Sequence, residues 1–397
     1  MIIQPKIRGF ICTTAHPVGC ARRVQDEIDY VKAKGPIAGG PKKVLVIGAS
    51  NGYGLASRIT AAFGCRAATI GVFFEKESDG KRTATAGWYN AAAFEAAAKK
   101  AGLYSKSFNG DAFSDEMRSK VCEAIKKDLG QVDGVIYSLA SPRRVDPQTG
   151  QLYKSVLKPK GAAYTNKSID FETNQVTTVT LETATPQEVA EAVKVMGGED
   201  WQLWIEALMK GNLLSSHAVT VAYSYIGPAV TTPVYRHGTI GAAKDHLEAT
   251  AHLLDERMKK IGGWALVSVN KALVTQSSSA IPFIPLYFVI LMKVMKAKGL
   301  HEDCIHQIYR LFSQRLYNNR PFDQIPMDQK GRVRIDDWEM RPDVQEEVEK
   351  IWSMIGDANL LQVADVKGYN QDFLKLFGFG LAGVDYSADV NPEVPIL

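Results

Sequence analysis

A parallel, doubly wound α/β sheet is the fold this chain predicts, and three observations carry it. The apolar, β-branched run Val44-Leu-Val-Ile47 breaks into glycines at Gly48, Gly52 and Gly54 and then into a helix-like pattern. Strand-like and helix-like stretches alternate from there to Leu139, and the alternation returns from Pro186 to Val269. Regular alternation of this kind is the pattern of parallel strands joined by crossover helices.

In chain order, residues 1–42 read as a short strand pair or arm, a charged helix from about Cys20 to Lys34 and the linker Gly35-Pro-Ile-Ala-Gly-Gly-Pro41. Cys12, His16 and Cys20 have a spacing that would align metal ligands only on a helix, and Pro17 and Gly19 interrupt it, so ordinary packing is the expected role. After the glycine turn the helix runs through Phe63, and Ala67–Phe74 is the second strand. Trp88–Ala101 is a helix, Leu103–Phe108 a strand, Ser114–Leu129 a helix and Val132–Leu139 a fourth strand. From Asp146 to about Thr183, turn signals flank the alternating run Gln175-Val-Thr-Thr-Val-Thr-Leu181, which predicts an inserted β-hairpin or small subdomain. Helices follow at Pro186–Met196 and Trp201–Lys210, then a strand at Ala218–Ser224, a long helix ending near Ile261 and a strand at Ala265–Val269. Residues 301–397 read as a charged helical extension with an irregular tail. The whole of 1–397 is expected to form one elaborated Rossmann-type domain.

Bulk composition bounds the function. An apolar fraction of 46% supports a substantial core, and a net charge of +4 without a basic block argues against nucleic-acid binding. The five cysteines are sparse, as in a reducing cytoplasm. The longest apolar run, Ala280–Met292, contains Pro282 and Pro285 and is too short to span a bilayer, so a soluble protein is expected. No secretory signal is seen at the N-terminus.

The chemistry starts at the glycine turn. Glycines permit the backbone conformation a tight turn needs, and they clear the approach to a helix N-terminus, where free N–H groups and the helix dipole favour a pyrophosphate. The spacing Gly48-x3-Gly52-x-Gly54 matches that of the short-chain dehydrogenase/reductase superfamily. Glu75, at the end of the second strand, stands where a carboxylate would meet the adenosine ribose hydroxyls and repel a 2′-phosphate, which predicts NADH over NADPH. Asp111-Ala112 and Ser138-Leu139-Ala140 follow the next two strands and resemble the superfamily's adenosine-contacting turns.

Tyr235 and Lys244 are the expected catalytic pair. A phenol can hydrogen-bond or protonate a developing enolate oxygen, and a lysine can supply positive charge and hold a nicotinamide ribose. At about 100° per residue, positions nine apart point to opposite faces of one helix. Tyr235 is therefore predicted to lie outside the regular helix that carries Lys244, with a bend near Gly238 or Gly241. Tyr225, at the end of the preceding strand, aims a second phenol at the same sheet edge.

Over essentially its whole length the chain resembles the FabV-type enoyl-acyl-carrier-protein reductases and the similar trans-2-enoyl-CoA reductases. The resemblance rests on His16-Pro-Val-Gly-Cys20, the turn and helix from Gly48 to Phe63, Tyr137-Ser-Leu-Ala-Ser-Pro142, Val195-Met-Gly-Gly-Glu-Asp-Trp201, Ala222-Tyr-Ser-Tyr-Ile-Gly-Pro228 and Tyr235-x8-Lys244. It implies hydride transfer from NADH to C3 of a trans-2-enoyl thioester, carried by CoA or acyl carrier protein, in fatty acid synthesis. It also implies Tyr235 as proton donor and Tyr225 as a substrate contact. Gly48, Ala49, Ser50, Asn51, Gly52, Tyr53, Phe74, Glu75, Asp111, Ala112, Leu139, Ala140, Lys244, Leu273, Val274 and Thr275 would bind the dinucleotide. No metal is expected, and the protein is expected to be a cytoplasmic monomer. Residues 276–300, a serine turn followed by a very apolar helix, suit a lid over an acyl chain or a buried core helix. A carbonyl reductase of the same superfamily and a non-catalytic NADH-binding regulator are the competing readings.

Overall fold

The computed structural model describes residues 1–9, 11–281 and 283–397; Pro282 of the apolar run lies outside the described residues. The arm is the antiparallel pair β1 (Ile7–Arg8) and β2 (Ile11–Cys12), leading into α1 (Pro17–Lys34). This helix begins three residues earlier than expected because Pro17 takes its first turn, a position that needs no N–H. His16 caps it, its Nδ1 accepting from the Gly19 N–H at 3.2 Å.

The core is a seven-stranded parallel sheet. Its strands are β3 (Lys43–Ile47), β4 (Ala68–Phe73), β5 (Ser105–Asn109) and β6 (Val132–Tyr137) from the first half. After the inserted pairs β7 (Arg143–Val145) with β8 (Leu152–Lys154) and β9 (Tyr164–Asp170) with β10 (Gln175–Leu181) come β11 (Leu214–Ser224), β12 (Trp264–Val269) and β13 (Arg332–Arg334). The order across the sheet is β13-β12-β11-β6-β3-β4-β5. The chain reverses direction of travel between β3 and β6, which makes the crevice beyond their carboxyl ends the natural ligand site.

The expected alternation is therefore present. The insertion holds two strand pairs, β7 with β8 and β9 with β10. One correction is needed: the region beyond Leu300 also supplies β13, which pairs with β12 from Val267 to Val269.

Helices cover both faces: α2 (Gly52–Ile59), α3 (Ala86–Lys100), α4 (Asp115–Ala124), α5 (Pro186–Met196), α6 (Glu199–Lys210) and α7 (Thr239–Met258). The second half adds α8 (Ile284–Ala297), α9 (Cys304–Arg310), α10 (Pro342–Met354), α11 (Leu360–Val363) and α12 (Val366–Lys375). Leu286, Tyr287, Val289 and Ile290 of α8 are fully buried in one apolar cluster with residues of α10 and α12. This burial is what the core-helix alternative for 276–300 expects, with Lys293 and Lys296 of α8 on its exposed face. Among the described residues no helix is long and apolar enough to cross a membrane.

Two buried ion pairs pin the helices to the sheet. Arg58 Nη2 donates to Glu95 Oε1 at 2.7 Å, and Gly71 of β4 leaves the space for that guanidinium, since a Cβ there would lie 2.6 Å from Arg58 Nη1. Arg118 Nη1 donates to Asp200 Oδ1 at 2.8 Å, and the Tyr137 hydroxyl donates to the other oxygen at 3.0 Å. Trp201 Nε1 donates to Thr220 Oγ1 at 2.8 Å. The Gly-Gly-Glu-Asp-Trp201 segment is thus accounted for by packing against β6 and β11.

Candidate active site

The expected site residues all lie beyond the carboxyl ends of parallel strands. Gly48 follows β3, Phe74 and Glu75 follow β4, Asp111 and Ala112 follow β5, Leu139 and Ala140 follow β6, Tyr225 follows β11, and Leu273–Thr275 follow β12.

The glycine turn owes its composition to close approaches within the protein as well as to any ligand. A Cβ on Gly48, whose φ is +88°, would sit 2.3 Å from the Ser138 carbonyl oxygen, and one on Gly54 would sit 1.8 Å from the Gly48 carbonyl oxygen. These contacts bring the β3 and β6 turns together at the reversal point. Asn51 is the N-cap of α2 but its side chain makes no capping hydrogen bond; its amide instead accepts from Asn90 Nδ2 at 2.8 Å. The first N–H groups of α2 are thereby left for an anion, and the turn fits a dinucleotide. Thr275 reaches the same place from the far side: its Cγ2 is 3.7 Å from the point a Cβ on Gly52 would occupy.

Glu75 turns back onto this loop. Its Oε1 accepts from Ser50 Oγ at 2.6 Å and lies 3.4 Å from Asn51 Nδ2. Burial raises its pKa against the hydrogen bonds from Ser50, Thr85 and Asn51, which favour the ionised form. Phe74 beside it is exposed. Asp111 Oδ1 accepts from the Phe113 N–H at 2.9 Å, and the Ala112 carbonyl accepts from Trp204 Nε1 at 3.1 Å, so the second of these residues is fixed by the core. Ala49 is buried, and the Tyr53 hydroxyl is 2.8 Å from both the Lys271 carbonyl and Gln307 Oε1. Tyr53 therefore ties the turn to the segment after β12.

Tyr235 lies outside the helix that bears Lys244, as the nine-residue spacing predicts. α7 starts at Thr239 with Gly238 as its N-cap. A Cβ at Gly238 would meet the Val234 carbonyl oxygen at 2.0 Å, and one at Gly241 the Arg236 carbonyl oxygen at 1.8 Å. Both glycines are needed for the chain to fold back from Tyr235 into α7.

The electrostatics differ from the expectation in one respect. Burial alone holds the Tyr235 phenol above its ordinary pKa, with no offsetting charge from Lys244. Lys244 Nζ donates instead to the Tyr223 carbonyl at 3.2 Å. Its own pKa is pushed down to about 8 by burial, the charge of Glu248 pulling the other way. Tyr235 is accordingly a protonated phenol at neutral pH, a donor rather than a phenolate.

Tyr225 packs edge-on against Tyr235, ring centroids 4.9 Å apart at 78°. Its hydroxyl donates to Glu339 Oε1 at 3.1 Å. The sequence reading missed Glu339. It stands in the charged run Asp336-Asp-Trp-Glu-Met-Arg341, where no local pattern sets it apart from the neighbouring acids. Beside the 272–274 segment, α1, α8 and the α12 end line an open cleft of about 720 Å³, with Arg23, Glu27, His301 and Asp303 on its polar wall and Phe288, Leu291 and Met292 on its apolar one.

Comparison with known proteins matches the chain along its length. The family model described as the NAD(P)H binding domain of trans-2-enoyl-CoA reductase matches residues 2–80, and that described as the trans-2-enoyl-CoA reductase catalytic region matches 82–317. A third, described as the enoyl reductase FAD binding domain, matches 327–390. The enoyl-[acyl-carrier-protein] reductase [NADH] of Opitutus terrae is 61% identical over 100% of both chains. Trans-2-enoyl-CoA reductase of Clostridium acetobutylicum, solved in complex with NADH, superimposes with a TM-score of 0.96 at 48% identity, covering 99% of this chain and 98% of that one. The Treponema denticola trans-2-enoyl-CoA reductase, solved with NAD, gives a TM-score of 0.95 at 50% identity over 100% of both.

Residues 327–390 do not fit a flavin dinucleotide. Their strand β13 is followed by α10, whose first turn holds Asp343 paired with Arg341, where a phosphate would have to dock. Gly378 makes room for protein, since a Cβ there would lie 2.5 Å from the Cys20 nitrogen. Among the described residues this segment offers no strand, glycine turn and helix in succession.

Proposed function

The chain belongs to the trans-2-enoyl-CoA reductase family, and from that premise we propose that Tyr235 is its proton donor and Lys244 its cofactor-positioning cation. The protein is an NADH-dependent enoyl-thioester reductase that saturates the C2=C3 bond of trans-2-enoyl thioesters in fatty acid synthesis. NADH, when bound, supplies the hydride that adds to C3.

The observation that carries the residue roles is the separation of Tyr235 from α7. Its hydroxyl makes no hydrogen bond among the described residues, and burial keeps it protonated beside the crevice. As C3 gains electrons, negative charge develops on the thioester oxygen. A donor already desolvated and in place stabilises that enolate without reorganising. Tyr235 gives its proton to the enolate, C2 is protonated as the thioester carbonyl re-forms, solvent restores the phenol's hydrogen, and the saturated thioester leaves.

The cofactor would be held by Gly48–Tyr53, Phe74, Glu75, Asp111, Ala112, Leu139, Ala140, Lys244 and Leu273–Thr275. Glu75 sets the preference for NADH by opposing a 2′-phosphate. Tyr225 forms the wall of the substrate site next to Tyr235. The carrier is CoA or acyl carrier protein, in keeping with the two names its relatives bear. We place this reductase in the cytoplasm as a monomer acting through one elaborated domain; its free cysteines suit a reducing compartment.

The test is NADH consumption with crotonyl-CoA, with the product identified by mass spectrometry. Butyryl-CoA is the expected product. An aldehyde or alcohol with the double bond intact would instead assign a carbonyl reductase, and binding of NADH without turnover would assign a regulator.

A further inference from the structure

Glu339 lies between β13 and α10, and is fully buried. Its Oε1 accepts from the Tyr225 hydroxyl at 3.1 Å and from the Tyr287 hydroxyl at 2.6 Å, while Oε2 accepts from the Ala272 N–H at 2.6 Å. One carboxylate thus joins the end of β11, the core helix α8 and the start of the segment that follows β12.

The chemistry of these donors is unequal. A backbone N–H can only donate and cannot turn away, whereas a phenol can donate or accept. Because Tyr225 has a single hydrogen and Glu339 takes it, Tyr225 has none to offer a substrate oxygen. Tyr235, its ring 4.9 Å away, keeps its hydrogen free.

We propose that Glu339 is a positioning residue of the reaction: it fixes Tyr225 as a donor to the protein interior and so leaves Tyr235 as the one phenol that donates to the enolate oxygen. Resting on the enoyl-reductase reading, the inference gives the C-terminal extension a part in the site. It extends the role of Tyr225 from substrate contact to a fixed wall that holds the Tyr235 ring.

Glu339→Gln separates this role from simple support. The amide oxygen must stay with the Ala272 N–H, which cannot reverse, so the NH₂ turns to the two phenols and makes both of them acceptors. Tyr225 then carries a free hydrogen it can turn into the site, and a substrate oxygen drawn to it lies off the position that Tyr235 serves.

The experiment measures kcat and the KM for NADH with crotonyl-CoA for wild type, Glu339→Gln, Tyr225→Phe and the double variant. The expected result is a fall in kcat of about tenfold on Glu339→Gln in the wild-type background and less than about twofold in the Tyr225→Phe background, as for residues that act as a unit. The KM for NADH is expected to stay within about threefold, because the Ala272 contact survives. An unchanged kcat, or the same loss in both backgrounds, overturns the inference while wild-type turnover leaves the function standing. A wild type that converts no crotonyl-CoA overturns both. Should Glu339→Gln fail to fold, Glu339→Leu, which removes the acceptor and so frees the Tyr225 hydrogen while filling much of the same volume, is put through the same comparison and judged on kcat alone.

Discussion

Glu75 Oε1 accepts a 2.6 Å hydrogen bond from Ser50 Oγ, so the acidic end of β4 is locked onto the glycine turn that follows β3. That bond holds a carboxylate beside the turn proposed to bind the cofactor. If Glu75 selects the dinucleotide, Glu75→Ala removes both the acceptor for ribose hydroxyls and the charge that opposes a 2′-phosphate. A hydrogen bond to a charged group is worth about 1.5–3 kcal/mol, so the ratio of kcat/KM for NADH over NADPH is expected to fall by about tenfold or more. An unchanged ratio would remove Glu75 from cofactor selection.

Lys244 gives the free protein a distinctive pH response. Burial lowers its pKa to about 8, so it is charged below that value and neutral above it. If the charge holds the cofactor, kcat/KM for NADH declines as pH rises through about 8, since this parameter reports groups in the free enzyme. Lys244→Arg, whose guanidinium stays charged, is expected to abolish that alkaline limb. The sign for stability is opposite. The unfolded lysine holds its proton to a higher pH than the folded one, so unfolding free energy rises with pH between the two values.

The fold-back before α7 depends on space that only glycine leaves. Gly241→Ala places a Cβ within 1.8 Å of the Arg236 carbonyl oxygen, which forces the backbone apart. The expected cost is about 2 kcal/mol or more in urea denaturation, together with lost turnover as Tyr235 is displaced. Full activity at wild-type stability would show that the bend can be made without this glycine.

Arg58 and Glu95 stabilise the sheet away from the chemistry. Arg58→Met leaves a carboxylate buried without its cation, and breaking such pairs costs about 3–5 kcal/mol. Denaturation should show that loss, while the NADH dissociation constant of the folded fraction stays within about twofold.

The parallel sheet and the turns that carry the candidate site were legible because their causes are local. Val44–Ile47 is β-branched and apolar, the glycines interrupt it at once, and the Tyr235 to Lys244 spacing is incompatible with a single helix face. β13 was not legible, because Arg332-Val-Arg334 carries its charge on a strand whose identity comes from pairing with Val267–Val269. Glu339 was hidden for a similar reason: its three donors come from Tyr225, Ala272 and Tyr287, up to 114 residues distant. For α8 the apolar run suited a lid and a core helix alike, because its burial comes from packing on α10 and α12, which lie far along the chain.

Tyr235→Phe tests the central claim most directly, with NADH binding followed by fluorescence titration and turnover followed with crotonyl-CoA. Removing one oxygen deletes the donor and preserves the ring packed on Tyr225. The expected result is NADH affinity within about twofold of wild type and a fall in kcat of about a hundredfold or more, the range for loss of a donor to a developing oxyanion. Equal kcat values for Tyr235→Phe and wild type would contradict the account.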